Sequence, residues 1–391
     1  MSTPGGSRPG PGSHRTRYDL GRDELSELLT GEPAYRVEQV WDGLYRQGRT
    51  VSELTNVPKA LRERLAAQLP TALDEVTRVT GDDGRTVKFL WALDGGSRIE
   101  TVLMHYDERS TVCVSTQAGC AMACGFCATG QAGFERQLSA GEIVEQVVMA
   151  RREAGDRRIS NVVFMGMGEP LANYDRTWEA VHRLHDDIGI GARHLTLSTV
   201  GLVPGIRRLA VADLPVNLAV SLHAADDELR DELVPINRRY PLPVLVEACR
   251  DYVDRTRRRL SFEWAMISGV NDRFEDAARL ADIATDLRAH VNLIPLNSTP
   301  GYAVRGSSRN RVQAFAEDLR RRGVNVTVRD TRGSDIDAAC GQLRAGHEAT
   351  AVAPPPATMP ATATPRQTCL MEFIRESPVL EDTVDGRLAA F

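Results

Sequence analysis

The spacing of apolar residues changes twice along this 391-residue chain, and each change predicts a different kind of structure. Residues 1–15, MSTPGGSRPGPGSHR, are rich in Gly, Pro and Ser and have no apolar period, the composition of a disordered arm. From 16 to 73 the pattern is helical. Val37, Val40, Trp41, Leu44 and Tyr45 fall at i, i+3, i+4, i+7 and i+8, one stripe of a helix that Pro33 starts. Leu61, Leu65 and Leu69 repeat the device, so a small helical accessory domain is expected. Between 74 and 106 the period becomes two. Asp83-Gly84 and Asp94-Gly95-Gly96 separate the runs TVKFLWAL and RIETVLMHY, the turn chemistry of a β-hairpin extension.

From 107 to 345, strand-like and helix-like stretches alternate. Strands are expected at 111–115, 161–166, 194–199, 216–222, 261–267 and 291–296, with helical stretches such as SAGEIVEQVVMARREAG and RVQAFAEDLRRRG among them. That alternation predicts an α/β fold with a parallel sheet and right-handed crossovers. Six units in this length suggest a partial (β/α)6 barrel. Residues 346–391 form a tail, Ala/Pro/Thr-rich to 368, to which no function is assigned.

The strand faces are unequal. Thr111, Cys113 and Ser115 alternate with Val112 and Val114; Thr196 and Ser198 alternate with Leu195 and Leu197. Asn217, Ala219 and Ser221 oppose Val216, Leu218 and Val220, and Ser261 and Glu263 oppose Phe262, Trp264 and Met266. A closed eight-stranded barrel fills its interior with branched apolar side chains. One polar face per strand predicts an open cavity for a polar ligand, with Cys113 pointing into it. Glu100, among apolar neighbours in the last hairpin strand, is either an exposed edge residue or a buried carboxylate.

Composition adds limits. The hydrophobic share is 42% and no run of about 18 apolar residues occurs, so no membrane span is expected. The first residues lack the apolar core of a secretory signal. Net charge is −5, but Arg305 to Arg332 carries eight Arg against three acids, and Arg255, Arg257, Arg258 and Arg259 form a second cluster. Such patches can bind phosphates, or can be solvated helix faces. Seven Cys is an odd number, and their clustering does not suit a disulfide framework.

Cys120, Cys124 and Cys127 are spaced C-x₃-C-x₂-C among Gly119, Ala121, Ala123, Gly125 and Ala128, small residues that let a loop aim three thiolates at one point. A structural zinc site takes four ligands, and no fourth Cys or His lies nearby. Three thiolates on a four-iron cluster leave one iron free. This spacing resembles that of the radical S-adenosylmethionine (SAM) enzymes, in which the free iron is chelated by S-adenosyl-L-methionine. The resemblance implies a 4Fe-4S cluster on Cys120, Cys124 and Cys127. GMGEP (166–170), at the end of the second barrel strand, resembles the motif that contacts SAM, implicating Gly168 and Glu169. Ser198, Ser221, Leu222, His223 and Asn297 end successive strands at the same side, where α/β barrels place their active sites. Each alone reads as a strand cap; together they suggest a cofactor pocket.

RGSDIDAACGQL (332–343) puts Cys340 between small residues in a loop, whereas Cys249 sits at helical spacing with Leu245 and Tyr252 and reads as core. CVSTQAGC, GMGEPLANY, VSLHA, VPINRRYPL, NLIPLN and TRGSDIDAACGQL together resemble the RlmN-type ribosomal RNA adenine methyltransferases, over roughly residues 20–344. The resemblance implies two SAM per turnover. Cys340 takes a methyl group from one; a 5′-deoxyadenosyl radical from the other abstracts hydrogen from that methyl. The methylene radical adds to carbon 2 of adenine, and attack by Cys113 on the sulfur of Cys340 releases product, leaving a transient disulfide. Glu100 falls where the family places a proton acceptor, although Cys113 could do that job. The implied substrates are adenosine 2503 of 23S rRNA and adenosine 37 of tRNA, with an electron donor such as flavodoxin or ferredoxin, a cytoplasmic location and a monomeric enzyme whose helical domain docks RNA. The competing readings are methylation of carbon 8 of the same rRNA adenosine, a non-catalytic zinc-binding RNA protein, and a radical SAM enzyme for another substrate.

Overall fold

The computed structural model describes residues 15–296 and 305–329; Asn297, Cys340, Cys369 and the 346–391 tail lie outside the described residues. Three helices come first: α1 (Arg22–Leu28), α2 (Tyr35–Tyr45) and α3 (Lys59–Gln68). The predicted stripe is the buried one. Val40, Trp41, Leu44 and Tyr45 of α2 and Leu61 and Leu65 of α3 are enclosed, and they belong to the same continuous core as the barrel.

The sheet follows. Strands β1 (Asp74–Gly81), β2 (Thr86–Ala92) and β3 (Arg98–His105) form an antiparallel meander that pairs through β3 with β4 (Ser110–Cys113). A two-stranded ribbon, β5 (Gln117–Gly119) with β6 (Phe134–Gln137), brackets the short α4 (Ala128–Ala132). Then come α5 (Ala140–Ala154), β7 (Ile159–Phe164), α6 (Tyr174–His182), β8 (Leu195–Thr199), α7 (Val203–Ala210), β9 (Asn217–Ser221), α8 (Asp227–Leu233) and α9 (Leu242–Thr256). The described part closes with β10 (Leu260–Met266), α10 (Phe274–Asp286), β11 (His290–Pro295), α11 (Arg309–Arg321) and β12 (Asn325–Val328). The ten-stranded sheet runs β1-β2-β3-β4-β7-β8-β9-β10-β11-β12, parallel from β4 onward.

This is the expected α/β partial barrel, with two differences. A seventh parallel strand, β12, joins the six expected; its four residues, NVTV, are too short to declare a period. The hairpin extension is a three-stranded antiparallel meander, whose strands prolong the barrel sheet and make β3 an interior strand.

Residues opposite each other in a sheet share a face. The register therefore aligns Lys88, Val102, Cys113, Val163, Thr196 and Asn217 in one row across β2, β3, β4, β7, β8 and β9. A second row holds Ser198, Ala219, Ser261, His290 and Asn325, and a third Ser221, Glu263, Asn292 and Thr327. On the other face Val112, Val162, Leu197, Leu218, Phe262 and Leu293 join the hydrophobic core. The polar wall read from the alternation is there, interrupted by Val102, Val163 and Ala219.

Candidate active site

The loop of the three cysteines follows β4 by way of β5, whose last residue is Gly119. Its tight path needs its small residues: a side chain on Gly119, whose φ is +76°, would come within 2.0 Å of the Gly133 carbonyl. One on Gly130 would lie 2.9 Å from the Cys124 carbonyl. The Cys120 amide donates to the Gly133 carbonyl (2.7 Å), and Gln131 Nε2 donates to the Gly125 carbonyl (2.8 Å).

Cys120, Cys124 and Cys127 lie near enough to sense one another. Burial pushes the thiols of Cys120 and Cys124 well above their usual range, and the charge of neighbouring cysteines and of Glu169 pushes further the same way. Such thiols become thiolates only against a strongly cationic partner. Among the described residues, no three His, Cys, Asp or Glu side chains are placed to hold a single metal ion. A four-iron cluster is wider and takes each thiolate on a different iron. The donor set, with Cys124 buried and Cys120 and Cys127 partly exposed, fits that group.

The GMGEP turn is laced to the same stretch. Gly166 N donates to the Val114 carbonyl (3.0 Å), Met167 N to Ser115 Oγ (3.0 Å), and Glu169 N to Gln117 Oε1 (2.7 Å). Gly168 has φ +99°, and a Cβ there would meet Gln117 Cβ at 2.5 Å. The Glu169 carboxylate is buried and accepts from Leu171 N (3.0 Å) and Val200 N (2.8 Å), fastening this turn to the loop after β8; burial pushes its pKa up to about 7.

Ser198 and Ser221 are half-buried on the inner wall. Leu222 and His223 follow β9. His223, at φ +58°, is buried, accepts from Ala265 N at Nδ1 (3.0 Å), and meets Phe126 of the cysteine loop edge-on. Burial and the positive charge of Arg230 hold its pKa down to about 3, so the imidazole is neutral with its proton on Nε2.

Glu100 is not an exposed edge residue. It is 2% exposed on β3, with Oε2 3.0 Å from Nζ of the fully enclosed Lys88. Glu100 precedes Val102 by two positions on one face, and Val102 stands opposite Cys113, so carboxylate and thiol share the inner wall on adjacent strands. Ser115 Oγ donates to the Glu100 carbonyl (2.6 Å), tying this wall to the start of the cysteine loop.

Two residues were not found by sequence reasoning. Lys88 hides in an apolar strand run. Arg230, in the charged stretch DELRDEL, reads as solvated, yet it is buried and donates to the carbonyls of Leu222 (3.1 Å) and Val200 (2.6 Å) and to Asn237 Oδ1 (2.7 Å). It staples the loops after β8 and β9, and burial pulls its pKa down to about 10. At the far end of the wall Glu263 accepts from Asn292 Nδ2 (2.7 Å) and lies 3.2 Å from Arg329 in an ion pair.

Residues 114–281 match the Radical SAM superfamily. A probable dual-specificity RNA methyltransferase RlmN of Chloroflexus aurantiacus is 51% identical over 352 residues, 85% of this chain and 93% of that one. The chain belongs to the RlmN family of radical SAM RNA methyltransferases. The corresponding RlmN of Salinispora tropica is 52% identical over 349 residues, 86% of this chain and 94% of that one. The crystal structure of a radical SAM methyltransferase from Sphaerobacter thermophilus, 50% identical, superposes with a TM-score of 0.81 over 84% of this chain and 98% of that one. RlmN membership extends the likeness beyond the barrel to the N-terminal helices. Cys249 is buried in α9, as expected of core. Among the described residues no helix is long and apolar enough to cross a membrane.

Proposed function

We propose that this enzyme methylates carbon 2 of adenosine 2503 in 23S rRNA and of adenosine 37 in tRNA, through a methylated Cys340. When bound, a 4Fe-4S cluster on Cys120, Cys124 and Cys127 together with SAM supplies the methyl group and a 5′-deoxyadenosyl radical. Gly168, Glu169, Ser198, Ser221, Leu222, His223 and Asn297 shape the SAM pocket: the glycine gives close backbone approach and the polar residues orient the ribose, carboxylate and adenine. Cys340 serves as the thiolate that carries the methyl carbon to the base. Glu100 accepts the ring proton. Cys113 attacks the sulfur of Cys340, which frees the methylated base and leaves a disulfide for an external reductant.

The observation that carries this reading is the placement of Glu100 and Cys113 on one polar wall, at the root of the cysteine loop. An adenine reaches such a wall only after leaving its stack, which single-stranded RNA loops allow most readily. The 16–73 helices are the docking element for that RNA. A flavodoxin- or ferredoxin-type donor, a monomeric state and a cytoplasmic setting complete the proposal.

Nucleoside mass spectrometry of a 23S rRNA fragment and of tRNA, each incubated anaerobically with reconstituted enzyme, SAM and reductant, tests it. The expected product is 2-methyladenosine. 8-Methyladenosine would move the enzyme to the sister activity, and SAM cleavage without a modified adenosine would mean another substrate.

A further inference from the structure

The chain has two lysines, and one of them is enclosed in the middle of a β-strand. Lys88 lies at 0% exposure in β2, a strand whose other residues from Thr86 to Trp91 are also buried. Packing does not ask for an ammonium there. Leu90, two positions on and turned to the same face, fills its place with an apolar side chain at 0% exposure. Taking an ammonium out of water costs several kcal/mol, and buried ion pairs can often be replaced by apolar residues without loss of stability. Retaining this pair therefore calls for another reason.

The register supplies one. Lys88 stands opposite Val102, and Val102 opposite Cys113, with Glu100 two positions before Val102. Ammonium, carboxylate and thiol thus share one face over three neighbouring strands. That face is the inner wall. The opposite one is taken by Phe89 and Trp91, stacked on each other, with Trp91 Nε1 donating to Thr101 Oγ1 (3.0 Å) and Thr101 in turn donating to Gln146 of α5 (2.9 Å). Lys88 Nζ lies 3.0 Å from Glu100 Oε2.

We propose that Lys88 is a positioning residue for Glu100: its ammonium fixes the carboxylate on the inner wall beside Cys113, in the orientation that takes the proton from the adenine ring. Both side chains lack solvent exposure, so the anchor is itself fixed. In the step served, the proton passes from carbon 2 to a Glu100 oxygen, the electron pair of the C–H bond stays with the ring, and Lys88 gains and loses nothing. This inference rests on the function proposed above.

The test uses reconstituted full-length enzyme with a 23S rRNA fragment and labelled SAM, and follows two events separately: methyl transfer to Cys340 and methyl transfer to RNA. General-base contributions of about 10²–10⁴ set the scale. Glu100→Gln is expected to lower kcat for RNA about 100-fold, and Lys88→Met at least tenfold, with the KM for RNA and the methylation of Cys340 unchanged. Because Lys88 acts through Glu100, the double variant K88M/E100Q should match E100Q within about twofold. If K88M alone does not fold, for want of a partner to the buried carboxylate, E100Q against the double variant decides. Wild-type kcat in K88M or in E100Q, losses that multiply in the double variant, or equal loss of Cys340 methylation would each overturn the proposal. A wild-type enzyme that methylates neither Cys340 nor RNA would instead refute the function on which it rests.

Discussion

Phe126, between the second and third cysteines of the loop, meets the imidazole of His223 edge-on, with ring centroids 4.7 Å apart. His223 is in turn held at its Nδ1 by Ala265 N, and its carbonyl accepts from Asn271 Nδ2 (2.8 Å). The loop that would carry the cluster is therefore braced against the ends of β9 and β10. Phe126→Ala removes that brace and leaves the barrel core intact. Iron and sulfide content after anaerobic reconstitution should fall, while the thermal midpoint stays within a few degrees. Full iron occupancy in this variant would show that the brace is dispensable.

Gly168 sits where no other residue fits. Its φ of +99° is costly for any L side chain, and a Cβ would stand 2.5 Å from Gln117 Cβ. Gly168→Ala should displace the GMGEP turn, which leans on residues 114–117. The expected outcome is an affinity for SAM at least about tenfold weaker, with iron content unchanged. Equilibrium binding of SAM to cluster-loaded protein checks it. A tenfold loss corresponds to about 1.4 kcal/mol.

Arg230 joins three segments through Leu222, Val200 and Asn237. Arg230→Met keeps much of the bulk but takes the guanidinium donors from the Val200 carbonyl and the Asn237 amide oxygen, at about 1–3 kcal/mol each, while the Leu222 carbonyl keeps its bond from Ala224 N. A destabilisation of roughly 2–5 kcal/mol is expected, measured as a lower urea midpoint with an unchanged slope. An unchanged midpoint would mean that water replaces the guanidinium.

Much of this was legible in the chain, for physical reasons that differ by residue. Thr196, Ser198, Asn217 and Ser221 betrayed the inner wall because strand periodicity puts alternate residues on one face. Cys120, Cys124 and Cys127 were legible because their C-x₃-C-x₂-C spacing among small residues is written in the chain itself. Lys88 was not, because a lone lysine in TVKFLWAL is usually a side chain that reaches to solvent. Arg230 was hidden among Asp227, Glu228, Asp231 and Glu232, where local charge suggests a wet helix face; only tertiary packing turns it inward. The union of the helical domain with the barrel core was also beyond sequence patterns. It rests on contacts far apart in the chain, such as Arg183 to the Tyr18 carbonyl (2.6 Å) and Trp41 Nε1 to Asp187 (2.8 Å).

Glu145 of α5 makes that union sensitive to pH. It is buried, accepts from Ala72 N (2.7 Å), and burial pushes its pKa up to about 7. Unfolded, it ionises near the ordinary value of about 4.3. Between those values the folded chain binds a proton that the unfolded chain has lost. Stability from this group is thus full at low pH and declines as pH rises through the window. Glu145→Gln keeps an acceptor for Ala72 N and cannot ionise, so it should flatten part of that decline. Glu169, raised to about 7 as well, retains the rest. Urea midpoints at pH 5 and pH 8, on the wild type and the variant, give the comparison.

The most direct test of the two-cysteine account follows the methyl carbon itself. Enzyme loaded with methyl-labelled SAM, then given unlabelled SAM and a 23S rRNA fragment, is sampled by peptide and nucleoside mass spectrometry. The account predicts label first on the 332–343 peptide at Cys340 and then on carbon 2 of adenosine, with neither in Cys340→Ala. Label reaching adenosine in Cys340→Ala, or never passing from the cysteine to the RNA, would contradict it.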